Sequence, residues 1–162
     1  MLGRTILALA LLCAGPVAAA CRKGEVRPPT ARYELRGPTA LDKVTRLEWH
    51  RCSIGQEWSE EKGCTGEVVG LTFDEALTLE RDGWRVPSRY ELYTLISSTC
   101  TPALNETVFP GLEEPFLIYW TSSRTSRRRI WLVNFRSGTL RAYSGAGLLA
   151  PLRLVRGGRN RI

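Results

Sequence analysis

The chain has 162 residues, with 23 Lys and Arg against 16 Asp and Glu and a formal net charge of +7. Its 43% hydrophobic and 24% charged residues are typical of a globular protein and argue against a disordered one. The charge is segregated, because residues 22–119 carry 12 basic and 16 acidic side chains, whereas residues 120–162 carry ten Arg and no acidic residue. This segregation favours a polyanionic partner.

The N-terminus predicts export. Residues 1–20 combine the basic Arg4, an apolar run over residues 6–14 and small residues at 18–20, as a signal peptide does. The run is shorter than the roughly 20 apolar residues that span a bilayer. We therefore expect a protein of the periplasm, the cell surface or the extracellular medium. Residues 21–32 are expected to form an extended segment and residues 33–162 one domain.

Four cysteines follow the predicted signal peptide: Cys21, Cys52, Cys64 and Cys100. In an oxidising compartment an even number is typical of disulfides. A Cys52–Cys64 bond would close a short Gly-rich loop and leave Cys21 to pair with Cys100. Cys21 also directly follows the predicted cleavage site, where a bacterial lipoprotein is acylated, although the usual large aliphatic residue three positions earlier is missing. Both interpretations of Cys21 stay open.

The first half of the domain is predicted to contain strands and a long loop. A strand begins at residues 33–35. Residues 46–50 alternate polar and apolar, which directs Leu47 and Trp49 to the core side of a second strand. Residues 53–70 contain four glycines and are predicted as a loop around the Cys52–Cys64 link.

Two helices are predicted from capping boxes. Residues 72–75 begin a helix that ends near Arg81, and residues 88–91 begin one that ends near Ser98. The inner face of the second helix carries Leu92, Leu95 and Ile96. A Pro-rich connection follows, and then short strands at residues 119–121, 130–135, 140–143 and 152–155. Two short helices followed by antiparallel strands indicate an α+β domain.

A series of ordered motifs carries a resemblance to one bacterial family. The motifs are Asp42-x-x-Thr45-x-Leu47-x-Trp49, Cys52 with Cys64-x-Gly66, Trp84-Arg85-Val86-Pro87 with Glu91-Leu92, Tyr119-Trp120-Thr121-Ser122, Val133-x-Phe135-x-x-Gly138 and Arg153-x-Val155-Arg156. From about Tyr33 to Arg156 the chain resembles the Lcl C-terminal domain family. Where that family usually has Gly, this chain has Arg46, so we expect a changed turn in the same fold.

The resemblance implies both a fold and a function. The family is similar to the C-type-lectin-like superfamily, which implies two short helices, an antiparallel sheet and long irregular loops. It also brings the precedent of a collagen-like bacterial adhesin whose terminal domain binds sulfated glycosaminoglycans. An anionic glycan is therefore the ligand class that the resemblance favours.

The strongest candidate site is the Arg-rich segment between two predicted strands. Residues 122–129 carry four guanidinium groups among hydroxyl side chains, and guanidinium groups bind sulfate, phosphate and carboxylate oxygens bidentately. The predicted anion-binding residues are Arg124, Arg127, Arg128 and Arg129, with Arg136, Arg141 and the tail residues Arg159 and Arg161 if strand pairing brings them to the same side. The alternative is a solvated loop without a ligand.

Other conspicuous side chains are predicted to be structural. Trp49, Trp84, Trp120 and Trp131 are expected to pack in the core, although a Trp face also suits the C–H face of a sugar. Arg85 is expected to bond loop carbonyls or a carboxylate rather than a ligand.

Catalysis and metal binding have little support. A single His, no nucleophile elbow and no phosphate-binding Gly loop predict a protein that is not an enzyme and needs no cofactor. A lectin-like-fold oxidase with reactive cysteines is the remaining enzyme alternative, which the structural use of the cysteines disfavours. No zinc site is predicted without a Cys-x-x-Cys pair, and no calcium site, because Asn134 has no acidic residue after it and Glu113 and Glu114 lack a partner.

The predicted function is an exported, non-catalytic binding domain that recognises an anionic polysaccharide, sulfated glycan or surface polymer in the manner of an adhesin. The alternative is a structural or interaction protein, or a lipoprotein, of the bacterial envelope. In that case the Arg residues would meet a protein partner or an anionic membrane surface. Nucleic acid is not an expected partner, because the sequence contains no nucleic-acid-binding motif.

Overall fold

The structure, a computed structural model, describes residues 20–21, 29–97, 100–144 and 147–158. Apart from Ala20, the predicted signal peptide lies outside these residues, as do Arg159 and Arg161. Among the described residues, no helix is both long and apolar enough to cross a membrane.

Short helices and antiparallel strands make up the described part of the chain, which confirms the predicted α+β class. In chain order the elements are β1 (Ala20–Cys21), α1 (Pro29–Arg32), β2 (Tyr33–Arg36), β3 (Thr39–Asp42), β4 (Glu48–His50), β5 (Glu57–Ser59), β6 (Gly63–Thr65), α2 (Phe73–Thr78), α3 (Arg89–Tyr93), β7 (Cys100–Thr101), β8 (Ile118–Arg124), β9 (Ile130–Asn134), β10 (Thr139–Tyr143) and β11 (Val155–Arg156). The strands form sheets in the orders β11-β4-β3-β2, β10-β9-β8, β5-β6 and β1-β7.

The three-stranded sheet lies between two hydrophobic clusters. On one face, Tyr119 and Val133 join Leu92 of α3 and residues of the four-stranded sheet. On the other face, Trp120 and Leu132 join a cluster that includes α2 and residues 150–154. Burial on both faces explains why β9 is a continuous apolar run instead of an alternating one.

A buried arginine connects the sheets. Arg153 has no exposed surface, and its guanidinium donates to the carbonyl of His50 at 2.8 Å, to the carbonyl of Arg51 and to Ser53 Oγ at 3.4 Å. Ser53 Oγ shares a 2.6 Å hydrogen bond with the hydroxyl of Tyr119 on β8. Burial lowers the pKa of Arg153. These hydrogen bonds join β4, the segment after it and the three-stranded sheet.

Both predicted capping boxes are confirmed. The Thr72 hydroxyl accepts from the backbone N–H of Glu75, whose carboxylate accepts from the backbone N–H of Thr72 at 2.8 Å. Ser88 and Glu91 make the same pair of hydrogen bonds at the start of α3. The first-turn amides of both helices are thus capped by their own sequence.

Both helices end earlier than predicted. After α2, Arg81 and Trp84 exchange two backbone hydrogen bonds of 2.9 and 3.1 Å around a turn, so the chain leaves the helix before Arg81. After α3, Ile96 forms a bridge with Leu104, which stops the helix before residue 98. A local turn therefore follows α2, whereas pairing with the segment around Leu104 replaces the next helical turn after α3.

Three regions differ from the sequence-based expectation. Residues 53–70 contain the β5–β6 hairpin rather than a continuous loop, and residues 29–32 of the predicted extended segment form the helix α1. Of the strand predicted over residues 152–155, only Val155 lies in a strand, β11. The predicted Cys52–Cys64 disulfide is confirmed, and Cys64 lies opposite Trp58 in the hairpin. The disulfide therefore ties this hairpin to the segment that follows β4.

The turn between β3 and β4 depends on a buried carboxylate. Asp42 accepts from Arg32 at 2.7 Å, from the Thr45 hydroxyl at 2.8 Å and from the backbone N–H of Val44 at 3.0 Å. Arg46 completes the turn with a φ of 61°. Gly adopts this left-handed conformation without strain, whereas Arg adopts it at a cost.

The buried guanidinium of Arg153 leads to a stability prediction. In Arg153→Ala, the carbonyls of His50 and Arg51 lose a buried donor and a cavity remains, so unfolding should cost roughly 3 kcal/mol less than in the wild type. The matched control is Arg141→Ala, which removes an exposed Arg from the same C-terminal region and should change stability by no more than about 0.5 kcal/mol. Urea denaturation of both variants measures the difference. Equal midpoints would contradict the structural role of Arg153.

The register of β1 and β7 bears on the second cysteine pair. Cys21 is the direct partner of Cys100 in this antiparallel pair, and directly opposed residues have Cα atoms roughly 4.5–5.5 Å apart, which suits a disulfide. We expect non-reducing peptide mapping of the mature protein to recover a Cys21–Cys100 peptide. An acylated Cys21 with a free Cys100 thiol would instead identify a lipoprotein.

Candidate functional site

The turn between β8 and β9 carries the predicted Arg cluster, and residues 124–129 are called the basic turn. The backbone N–H of Thr125 donates to the Arg129 carbonyl at 2.7 Å, and the N–H of Arg128 donates to the Thr125 carbonyl at 3.0 Å. The Thr125 hydroxyl accepts from the N–H of Arg129 at 3.1 Å. Residues 126–129 are exposed, so this hydrogen-bonded turn presents its side chains to solvent.

The four guanidinium groups of the basic turn have different surroundings. Arg124 lies 4.5 Å above the ring of Phe73, and Arg129 donates to the carbonyl of Ala142. The side chains of Arg127 and Arg128 make no hydrogen bond or ion pair within the described residues. These two groups therefore keep their donors for a ligand.

A depression of about 400 Å³ lies beside the basic turn. Arg124 and Arg128 line it together with the buried side chains of Phe73 and Ile130. Asp74 adds one carboxylate to its lining. The arrangement places two guanidinium groups beside an apolar surface, which suits a ligand that has both anionic and C–H groups.

Arg89 extends the cationic surface, and the sequence analysis missed it. Its guanidinium lies 4.5 Å from the ring of Tyr90 and 4.9 Å from the ring of Trp131, and its backbone N–H donates to Ser123 Oγ at 3.0 Å. Trp131 lies on β9 two residues after Arg129, so Arg89 contacts the strand that directly follows the basic turn. The sequence of residues 88–91 indicates only a capping box. The contact of Arg89 with Trp131 joins α3 to β9, and no local pattern predicts it.

The four Trp residues that were predicted to pack in the core do not share one environment. Trp49 and Trp120 are fully buried, as predicted. Trp131 is half-buried and lies outside both hydrophobic clusters, and Trp84 is a half-buried member of the rim of one cluster. The core prediction therefore holds for two of them, whereas Trp131 lies under a cation at the surface.

The structure separates Arg136 from the basic turn, whereas Arg141 is next to Ala142, whose carbonyl Arg129 contacts. Arg136 follows β9, at the opposite end of the sheet from the basic turn, and forms an ion pair with Glu114. Five residues of β9 at about 3.3 Å each place roughly 16 Å between the two ends. Arg141 is exposed in the middle of β10, opposite Leu132. The structure therefore does not bring all six predicted anion-binding residues together.

Two other C-terminal arginines, and Arg85 from earlier in the chain, have structural partners. Arg153 is buried, and Arg156 donates to the Glu48 carboxylate at 2.7 Å and lies 4.5 Å from the Trp84 ring. As predicted, Arg85 bonds a carboxylate and a loop carbonyl, with two hydrogen bonds of 2.6 and 2.8 Å to Glu91 and one to Gly157. The strongly basic C-terminal region is thus partly neutralised by acidic residues from earlier in the chain.

The described site is suited to anion binding. No group of three or more His, Cys, Asp and Glu within the described ranges could hold a metal ion. His50 packs edge-on against Trp84 with ring centroids 4.0 Å apart, and burial, with Arg153 and Arg156 nearby, lowers its pKa. The chemistry that the basic turn offers is therefore hydrogen bonding and charge attraction.

The family model of the Lcl C-terminal domain matches residues 38–156. The chain belongs to the Lcl C-terminal domain family. No curated protein and no solved structure shows a significant match to it. The matched range of this Lcl C-terminal domain begins just before β3 and ends with β11, so it contains the three-stranded sheet, three strands of the four-stranded sheet, the disulfide and the basic turn.

The Arg85–Glu91 ion pair lies within the matched range. It predicts that the fold loses stability at low pH. Burial alone would raise the pKa of Glu91, but the hydrogen bonds from Arg85 and the backbone of Ser88 hold it below its usual value. The unfolded chain has a Glu pKa of about 4.3, so this pair stabilises the fold above that pH. Its contribution is lost as the pH falls through the lower folded-state pKa.

We expect Glu91→Gln to reduce the pH dependence of the unfolding free energy below about pH 4. Urea denaturation at several pH values measures this slope for both proteins. An unchanged slope would contradict the assignment, because the variant has no carboxylate to protonate at this position.

Proposed function

We propose that this Lcl C-terminal domain is an exported, non-catalytic binding module, adhesin-like in role, that recognises an anionic glycan or surface polymer through the basic turn. The unpartnered side chains of Arg127 and Arg128 carry this proposal. An exposed guanidinium with free donors binds a sulfate or carboxylate bidentately. The neighbouring Arg124 and Arg89 are held over aromatic rings, which lowers the entropy lost when they contact a ligand.

The fold assignment within this proposal is C-type-lectin-like. It is supported by the two capped short helices, the antiparallel sheets and the long irregular segment over residues 102–117. Export is supported by the sequence of residues 1–20 and by the Cys52–Cys64 disulfide, since disulfides persist in oxidising compartments. No cofactor is part of the proposed function.

Heparin chromatography tests the proposed site. In Arg127→Ala/Arg128→Asn, Asn is used at residue 128 because it tolerates the φ of 57°. We expect this variant to elute at lower salt and to bind heparin at least about tenfold more weakly, because two charge-assisted contacts are lost. The matched control is Arg36→Ala/Arg136→Ala, which removes the same number of exposed charges away from the basic turn and should keep wild-type retention.

The paired variants distinguish a defined site from general charge attraction. Equal loss of retention in both would assign binding to net charge alone, and full retention in the first would overturn the site.

The alternative function, in the bacterial envelope, predicts a different outcome. Heparin would not bind, whereas the wild type would sediment with phosphatidylglycerol vesicles and the Arg127→Ala/Arg128→Asn variant would not.

A further inference from the structure

A groove with two lobes lies along Arg85, apart from the depression at the basic turn. The larger lobe has a volume of about 700 Å³ and includes Tyr90, and the smaller has about 430 Å³ and includes Trp84. Glu80 and Arg85 line both lobes, so the two lie side by side. Each volume lies within the range of about 300–1,000 Å³ that is typical of ligand pockets.

The charges that line this groove compensate each other. The Arg85 guanidinium makes two hydrogen bonds to the Glu91 carboxylate, so both charges are neutralised within the protein. Glu80 and Arg81 are the other charged residues that line the lobes, and they have opposite signs. Among the described residues, the lining of the groove therefore has no excess of positive charge for an anionic ligand, unlike the basic turn.

The hydroxyl groups of the larger lobe present both acceptors and a donor. Thr45 Oγ1 donates its proton to Asp42, Thr94 Oγ1 donates to the Glu91 carbonyl, and Ser122 Oγ donates to the Pro87 carbonyl. These three oxygens therefore keep acceptor capacity for a ligand. Ser88 Oγ accepts from the backbone N–H of Glu91 and keeps its proton as a donor. The Glu80 carboxylate adds another acceptor, since only Oε1 is engaged, by the backbone N–H of Val86. Such a lining matches a ligand rich in hydroxyl groups, which both donate and accept, whereas a sulfate or carboxylate has no proton to donate.

Each lobe also has one aromatic ring that an arginine supports. Tyr90 is 66% exposed, and Arg89 lies 4.5 Å from its ring. Trp84 has Arg156 at 4.5 Å from its ring and His50 packed against it, and the rest of its surface lines the smaller lobe. Rings held in place and open to a groove are platforms for the C–H face of a sugar.

We propose that this groove binds a neutral oligosaccharide, with one sugar ring in each lobe. Its ring faces pack on Tyr90 and Trp84, and its hydroxyls donate to Glu80 and to the Thr and Ser oxygens. This site goes beyond the anionic-glycan function, because its ligand is recognised by O–H donors and C–H faces instead of charge.

Titration of the purified chain with cellotetraose and with tetra-N-acetylchitotetraose, followed by NMR, tests this proposal. We expect at least one of the two to bind, with an affinity that stays constant between about 0.05 and 0.5 M NaCl, since no charge attraction is involved. Tyr90→Ala should weaken binding about tenfold, and Tyr90→Phe should retain it. The matched control is Tyr93→Ala, because Tyr93 is a 43% exposed residue of the same helix that does not line the groove.

The outcomes separate this site from the basic turn. The Arg127→Ala/Arg128→Asn variant should bind the neutral tetrasaccharide with unchanged affinity even where it has lost heparin. Saturable binding of neither tetrasaccharide at about 10 mM would overturn the groove proposal. Unchanged binding by a folded Tyr90→Ala variant would also overturn it, as would an equal loss of affinity in Tyr93→Ala. None of these outcomes would change the interpretation of the heparin experiment.

Discussion

The guanidinium of Arg153 is the interaction on which the assembly of the two larger sheets depends. It is fully buried, bonds two carbonyls at the end of β4 and reaches β8 through Ser53 and Tyr119. A planar cation with several donors satisfies the neighbouring acceptors of residues 50–53 at once, whereas an aliphatic side chain of similar size would leave those acceptors unpaired. Its aromatic neighbours, Phe109 and Tyr119, add contacts within 6 Å.

The segment that carries Arg153 has the same connecting role along its backbone. The carbonyls of Leu152 and Leu154 accept from Ile54 and His50, and Ala150 and Val155 form bridges with Leu71 and Arg85. The last part of the matched domain thus pairs with three earlier parts of the chain. The core becomes complete only when this segment is in place, since it contributes to both hydrophobic clusters.

The same residue type has three different uses in this domain, and burial decides among them. Arg153 is enclosed, Arg85 and Arg156 are paired with carboxylates, and Arg127 and Arg128 are exposed without a partner. Two surfaces of opposite character result from this distribution. The basic turn offers donors and positive charge, and the groove along Arg85 offers acceptors with balanced charge. Arg89 and Tyr90, neighbours at the start of α3, lie where these two surfaces approach each other.

The sequence alone determined those features of the fold that depend on short local patterns. The two capping boxes, the alternation that buries Leu47 and Trp49, and the Cys52–Cys64 loop each depend on side chains that meet close partners along the chain. The ordered motifs identified the family for the same reason, because each is short and contiguous. Helix α2 ends before a local turn between Arg81 and Trp84, whereas tertiary structure alone decided the end of α3, where the bridge between Ile96 and Leu104 replaces a helical turn. Tertiary structure also decided which arginines remain free, because burial and ion pairing join residues up to about a hundred positions apart and no local pattern encodes those contacts.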